Sequence, residues 1–188
     1  MFMKIIMLQM PMRTTLLYSR HVILLWHTHM CKFFKLEISA DIRVTIKLIR
    51  KNFVQVKEPF VKSTLVSFVP MPSPGEIAKA NDPAIVSGFG TLTYEGEMTK
   101  LLHWVDIKVA DQNYCNRMYK NVIHNTQLCA YDNTTVKGHC DGDSGGPLTV
   151  NGKLHGIVSW SKNCANVVYP SVYTRVSSYL NWINEHAV

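Results

Sequence analysis

The segment Gly142-Asp143-Ser144-Gly145-Gly146-Pro147 holds the residues best suited to chemistry. Ordinary residue frequencies would produce this string by accident in roughly one chain in 10⁵. Its glycines permit a tight turn whose backbone N–H groups face outward. Two such donors, from Gly142 and Ser144, can hold a developing oxyanion. Ser144 is then a nucleophile, provided a base takes its proton. The plain alternative is a surface turn, which Gly, Asp and Ser also favour.

The elements around this segment read as short strands separated by turns. Ala84–Gly88 is an apolar run closed by Gly88 and Gly90, and Val105, Ile107 and Val109 alternate with Asp106 and Lys108 as a half-buried strand does. Pro147–Val150, Asn151-Gly152 and Lys153–Trp160 predict a hairpin, because Asn-Gly supplies the positive φ angles of a two-residue turn. Ser171–Val176 is a further strand. One helix is expected to start at Asp111 as N-cap and run through Cys115 and Met118. Another is expected to start near Ser177, with Val176, Leu180 and Ile183 on one face. Strands dominate, and the fold class is all-β.

Composition narrows the function classes. The 188 residues are 47% apolar and 18% charged, which excludes a disordered, collagen-like or coiled-coil chain. Residues 1–62 carry 11 basic and 3 acidic residues, against 9 and 10 in residues 63–188. A nucleic-acid face needs aromatic or helical organisation around such charge, and none accompanies it, so no nucleic-acid partner is expected. The longest apolar run in the first thirty residues, Val22–Trp26, is far too short to span a membrane, and no membrane partner is expected. Residues 1–40 read as an atypical leader. A secretory signal would need a small-residue cleavage site after Met1–Met12 or Thr14–Trp26, and neither stretch has one.

Five cysteines are present: Cys31, Cys115, Cys129, Cys140 and Cys164. None forms a C-x-x-C pair, so no zinc site is expected from them. Four cysteines in the strand-rich half point to two disulfides and an oxidising compartment, with Cys31 left over. Asn133-Thr134-Thr135 is a glycan sequon if the chain is secreted, and otherwise a polar loop.

The serine segment resembles the active-serine loop of the trypsin/chymotrypsin-like serine proteases. Ile85-Val86-Ser87-Gly88-Phe89-Gly90 resembles that family's V-S-G-W-G strand, and Gly156-Ile157-Val158-Ser159-Trp160 its G-I-V-S-W strand. Pro170–Val176 resembles P-G-V-Y-T-x-V. The likeness covers residues 83–188 firmly and 41–82 loosely, which implies a partial protease domain over 41–188. The implied fold is a chymotrypsin-like pair of Greek-key β-barrels, the second complete and the first largely missing, with a C-terminal helix. The resemblance pairs Cys115 with Cys129 and Cys140 with Cys164. It makes Ser144 the nucleophile, Gly142 and Ser144 N–H the oxyanion donors, and Asp143 a buried structural acid. It puts Gly138 at the floor of the substrate pocket and Ser161 and Ser171 in its walls, with His139 and Asp141 near the pocket, and the plain reading of those two is a solvated rim. Ser159, Trp160 and Ser161 would pair with substrate backbone. An uncharged floor disfavours tryptic specificity and implies a chymotrypsin- or elastase-like slot. The resemblance implies no metal and no cofactor.

The sequence departs from the family at three points. The family's A-A-H-C histidine is absent. His27 and His29, in His27-Thr28-His29-Met30-Cys31, come nearest, and the alternative is that both are leader residues. The orienting acid is Asp41 in one register, whereas a second register puts Arg50 there, and arginine cannot orient an imidazole. No I-V-G-G amino terminus exists to pair with Asp143, which implies an unset oxyanion loop. The resemblance thus implies a secreted, monomeric serine endopeptidase acting on peptides or proteins, open to protease inhibitors, with little turnover as written. A non-catalytic homologue that binds through the same pocket is the alternative.

Overall fold

The computed structural model describes residues 67–186, together with the backbone of four short strands earlier in the chain. These are β1 (Ile5–Met7), β2 (Val22–Leu24), β3 (Lys47–Ile49) and β4 (Phe53–Gln55), of which β2, β4 and β3 form an antiparallel sheet in that order. β1 and β2 fall within 1–40, where the sequence shows no alternation. Strands of three residues are too short to display a period of two. The chain divides into two compact units, Met1–Phe68 with Ala187–Val188, and Val69–His186.

The second unit, which holds Ser144, is a closed six-stranded antiparallel barrel. After β5 (Ser67–Val69) come β6 (Pro83–Gly88), β7 (His103–Val109), β8 (Gln127–Tyr131), β9 (Pro147–Val150), β10 (Lys153–Trp160) and β11 (Ser171–Arg175). Around the barrel the order is β10-β11-β8-β7-β6-β9, and β9 closes back on β10. β6, β7 and β8 follow one another, then the chain returns to lay β9 beside β6, which is a Greek key. β9 and β10 turn at Asn151 and Gly152, with φ of 49° and 74°, the left-handed values that an Asn-Gly hairpin uses.

Alternation fills the interior. Ala84 and Val86 point inward from β6, Ile107 and Val109 from β7, and they meet Leu128, Ala130, Leu148, Val150, Val158 and Tyr173 in one apolar cluster. Gly156 lies where β10 passes between its neighbours. A Cβ there would stand 3.0 Å from Tyr173 Cβ and 3.1 Å from Leu148 Cβ. β8 carries three buried residues in a row because its other face is covered too. Cys129 turns outward to a second cluster with Ala110, Cys115, Ile123 and Val172, under helix α1 (Gln112–Met118). Asp111 caps α1, its Oδ1 accepting the Tyr114 N–H at 2.7 Å. The Cys115–Cys129 disulfide fastens α1 to β8.

At the C-terminal end the expected helix begins as a 3-10 turn (Val176–Tyr179) and becomes α2 (Leu180–His186), with Val176, Leu180 and Ile183 all buried. Outside the barrel, Glu76 accepts from Lys153 Nζ at 2.7 and 2.8 Å and from the Ser73 N–H at 2.7 Å, and these donors hold its carboxyl down at about 2. Among the described residues, no helix is long and apolar enough to cross a membrane.

Leu148 is fully enclosed, at 0% exposure. Leu148→Ala is expected to cost roughly 2–5 kcal/mol, and the exposed Leu92→Ala less than about 0.5 kcal/mol, both read by urea unfolding.

Candidate active site

The Ser144 loop leaves β8's connection at the buried Cys140 and enters β9 at Pro147. Each of its glycines has a separate reason. Gly142 and Gly145 take positive φ, 91° and 83°. A Cβ on Gly146 would lie 2.8 Å from the Asp143 carbonyl oxygen and 3.1 Å from that of Ser87. The loop is bonded to β10 by two main-chain contacts, Gly145 N–H to Val158 O and Val158 N–H to Gly146 O, both 2.9 Å. Its own turns are closed by Asp143 N–H to Cys140 O at 3.2 Å and Gly146 N–H to Asp143 O at 2.8 Å. The Cys140–Cys164 disulfide ties its start to the segment after β10.

Asp143 anchors the loop from within. Its Oδ1 accepts the Gly90 N–H at 2.8 Å and its Oδ2 the Cys140 N–H at 3.0 Å. Asp143 is half-buried rather than buried, and both of its carboxylate oxygens are engaged by backbone amides. The approach is close enough to dictate sequence on β6. A Cβ on Gly88 would collide with Asp143 Oδ1, and one on Gly90 would lie 2.6 Å from both the Asp143 Cγ and the Asp141 carbonyl oxygen. The glycines of Ser87-Gly88-Phe89-Gly90 thus serve the serine loop as well as their own strand.

These restraints leave Ser144 exposed. Neither its N–H nor that of Gly142 has a hydrogen-bond partner among the described residues. An accessible hydroxyl accompanied by two uncommitted amides is what attack on a carbonyl and support of the resulting oxyanion require. No described side chain hydrogen-bonds the Ser144 hydroxyl. His27, His29, Asp41, Arg50 and Cys31 lie outside the described residues.

The remaining candidate residues flank the loop. Gly138 is half-buried, with a Cβ position 3.4 Å from Ala165 Cα. Ser159, Trp160 and Ser161 are half-buried at the end of β10, and Ser171 is buried at the start of β11. The Trp160 ring packs edge-on against Tyr119, at 4.8 Å between centroids, so it serves the outer cluster. Asp141 is exposed. His139 does not stand on a solvated rim: it is buried at 4% exposure, its ring edge-on to that of Tyr173 at 5.2 Å. Burial next to an apolar barrel disfavours the charged imidazolium, and His139 is pushed down to about 4. The Tyr173 hydroxyl is pushed up by the same cause. The sequence signal for Tyr173 is its place two residues after Ser171, on one face of a strand. The burial of His139 has none.

Cys140, Asp141 and Cys164 offer atoms within 4.8 Å of one another, but both sulfurs are spent in the disulfide and cannot act as thiolate ligands. Asn133 is exposed in a turn held by Asp132, whose Oδ1 accepts from the Thr134 hydroxyl and N–H at 2.6 and 2.8 Å.

Comparison with known proteins agrees with this geometry. The Trypsin family model matches residues 52–183. The chain belongs to the trypsin family. It is 36% identical over 132 residues to Trypsin V-A of Rattus norvegicus, covering 70% of this chain and 53% of that one. It is 43% identical over 121 residues to Hypodermin-B of Hypoderma lineatum, covering 60% and 46%. The chain thus spans about half the length of these curated relatives. Among solved structures, neuropsin, a serine protease expressed in the limbic system of mouse brain, aligns with a TM-score of 0.66 and 30% identity, over 71% of this chain and 60% of that one. The closed barrel with its terminal helix is accordingly a partial chymotrypsin-like fold.

Two outcomes follow. Gly90→Ala drives a methyl group into the Asp143 carboxylate and is expected to lower stability by about 1–3 kcal/mol in urea unfolding; a change below about 0.5 kcal/mol would place Asp143 elsewhere. His139 takes its proton near 4 when folded, against an ordinary 6.5. As pH falls below 6.5 the unfolded chain is protonated first, so stability declines down to about pH 4 and this loss then levels off, amounting to on the order of 3 kcal/mol. His139→Leu is expected to remove that component of the pH dependence.

Proposed function

We propose that this chain works as a serine endopeptidase, a hydrolase of peptide bonds, with Ser144 as nucleophile. The Ser144 Oγ attacks the scissile carbonyl carbon while its proton passes to a base, and the carbonyl oxygen, now negative, is held by the Gly142 and Ser144 N–H groups. The C–N bond then breaks, the amine leaves with the proton, and water hydrolyses the acyl ester to restore the hydroxyl. The base and its orienting acid are assigned to the region before residue 67, with His29 or His27 and Asp41 as candidates. Mutating one member of such a triad can lower kcat by several orders of magnitude, and the departure from A-A-H-C supports low turnover by this chain.

Substrate would lie along Ser159–Ser161 as an added strand, with its side chain between Gly138, Ser161 and Ser171. Gly138 brings no carboxylate, so an uncharged side chain suits the slot better than Lys or Arg, as in chymotrypsin- or elastase-like enzymes. Two disulfides suit an oxidising, extracellular setting. Peptide or protein substrates, protease inhibitors as ligands and a monomeric state accompany this reading.

The observation that carries the proposal is the exposed Ser144 beside two uncommitted amides in a loop held by Asp143. Incubation of the full chain with a serine-directed fluorophosphonate is expected to give a slow adduct, mapped to Ser144 by peptide mass and lost in Ser144→Ala. No adduct after prolonged incubation would favour the non-catalytic binding role, and labelling as fast as in an intact protease would refute low turnover.

A further inference from the structure

The Asn133-Thr134-Thr135 sequon falls on an exposed turn between β8 and the serine loop, and the proposed protease chemistry has no use for it. The turn is built by a neighbour rather than by Asn133. Asp132 Oδ1 accepts the Thr134 hydroxyl at 2.6 Å and the Thr134 and Thr135 N–H groups at 2.8 Å each, and its Oδ2 meets Lys137 Nζ at 2.9 Å. The Asn133 amide and the Thr135 hydroxyl, the two groups that define the acceptor motif, make no hydrogen bond to any described residue.

This turn adjoins a gap in the barrel wall. β7 pairs with β8 at Lys108↔Tyr131 and Val109↔Ala130 only, because the chain leaves β8 after Tyr131 to enter the turn. The Ala110 N–H reaches Cys129 O, so the alternate residues Lys108, Asp106 and Trp104 turn their main-chain groups toward the same side. At Asp106 and Trp104 no strand of the barrel stands there to pair with them. Trp104 lies about 13 Å along β7 from Lys108. Its side chain is 64% exposed, with the 40% exposed Ile85 diagonal to it on β6. An open edge beside an exposed aromatic invites another chain to add to the sheet.

We infer that Asn133 carries an N-linked glycan, and that this glycan covers the open β7 edge and Trp104. The inference rests on the oxidising, extracellular setting proposed above and not on the protease chemistry. In the attachment step the Asn133 Nδ2 attacks the anomeric carbon of a lipid-pyrophosphate-linked oligosaccharide. A C–N bond forms, the C–O bond to the pyrophosphate breaks, and the lipid pyrophosphate leaves with the proton lost by the amide. The product is bulky and solubilising. It brings no main chain of its own, so it occupies the edge without extending the sheet.

The test expresses the full chain in a eukaryotic cell behind a cleavable secretion signal, so that entry to the secretory route is imposed. Peptide:N-glycosidase is expected to remove the mass of an oligosaccharide and to leave an aspartate where Asn133 stood in the mapped peptide. Thr135→Ala is expected to abolish the modification and Thr134→Ala to keep it, since only the hydroxyl two residues after the asparagine belongs to the motif. Removing the glycan is expected to raise acrylamide quenching of the tryptophan fluorescence, and the rise to be lost in Trp104→Phe. If both disulfides form while Asn133 stays unmodified, the glycan is overturned and the oxidising setting stands. If neither disulfides nor glycan form, both fall. If the glycan is present but its removal leaves quenching unchanged, or raises it equally in Trp104→Phe, the covering of Trp104 is overturned. The mass and quenching measurements on the unmutated chain need no variant, so a misfolded one would not shield the inference.

Discussion

A carboxylate drawn into a fold must find donors, and Asp143 finds them in the main chain. One oxygen takes the amide of Gly90 just beyond β6 and the other the amide of Cys140 at the start of the serine loop. Charged acceptors make the stronger class of hydrogen bond, on the order of 1.5–3 kcal/mol each. From these two bonds much else follows. β6 must end in residues without side chains, because the carboxylate occupies the space a Cβ would need at Gly88 and Gly90. The chain between Cys140 and Asp143 must turn back on itself, with Gly142 in a left-handed conformation. Ser144, next in line, is left at the surface. The family resemblance implies a free amino group as partner for this acid, and neutral amides engage it here.

The barrel and most of its elements were legible because their signals are local. The cap at Asp111, the Asn-Gly turn and the alternation along β7 each occupy a few residues, and each appears where the sequence puts it. β8 was not legible. Gln127–Tyr131 is buried on both faces, with Leu128 and Ala130 toward the barrel and Cys129 toward α1, so its residues do not alternate in polarity. The last helix was legible as well, beginning at Val176 as a 3-10 turn with Val176, Leu180 and Ile183 buried, although its first turn is tighter than an α-helix.

The site was legible to a different degree. The glycines of the serine segment announce a tight turn, but nothing in the sequence says that Asp143 would accept Gly90, since the two lie 53 residues apart. His139 shows the limit most clearly. A histidine between a glycine and a cysteine reads as a surface residue, yet in the fold its ring is buried against Tyr173 of β11. Long-range packing, rather than residue type, decides whether that imidazole meets water or the Tyr173 ring.

Ring closure of the six strands has an effect beyond enclosing a core. An open sheet exposes two borders of unpaired amides and carbonyls, which can recruit a neighbouring molecule and seed fibrils. Here β9 bonds to both β6 and β10, and β8 to both β7 and β11, so every strand of the ring has a neighbour on each side, although β7 meets β8 only at Lys108 and Val109. A slip of one residue at any seam would turn that strand's buried side chains outward and would have to be absorbed elsewhere around the ring, so closure restricts the register.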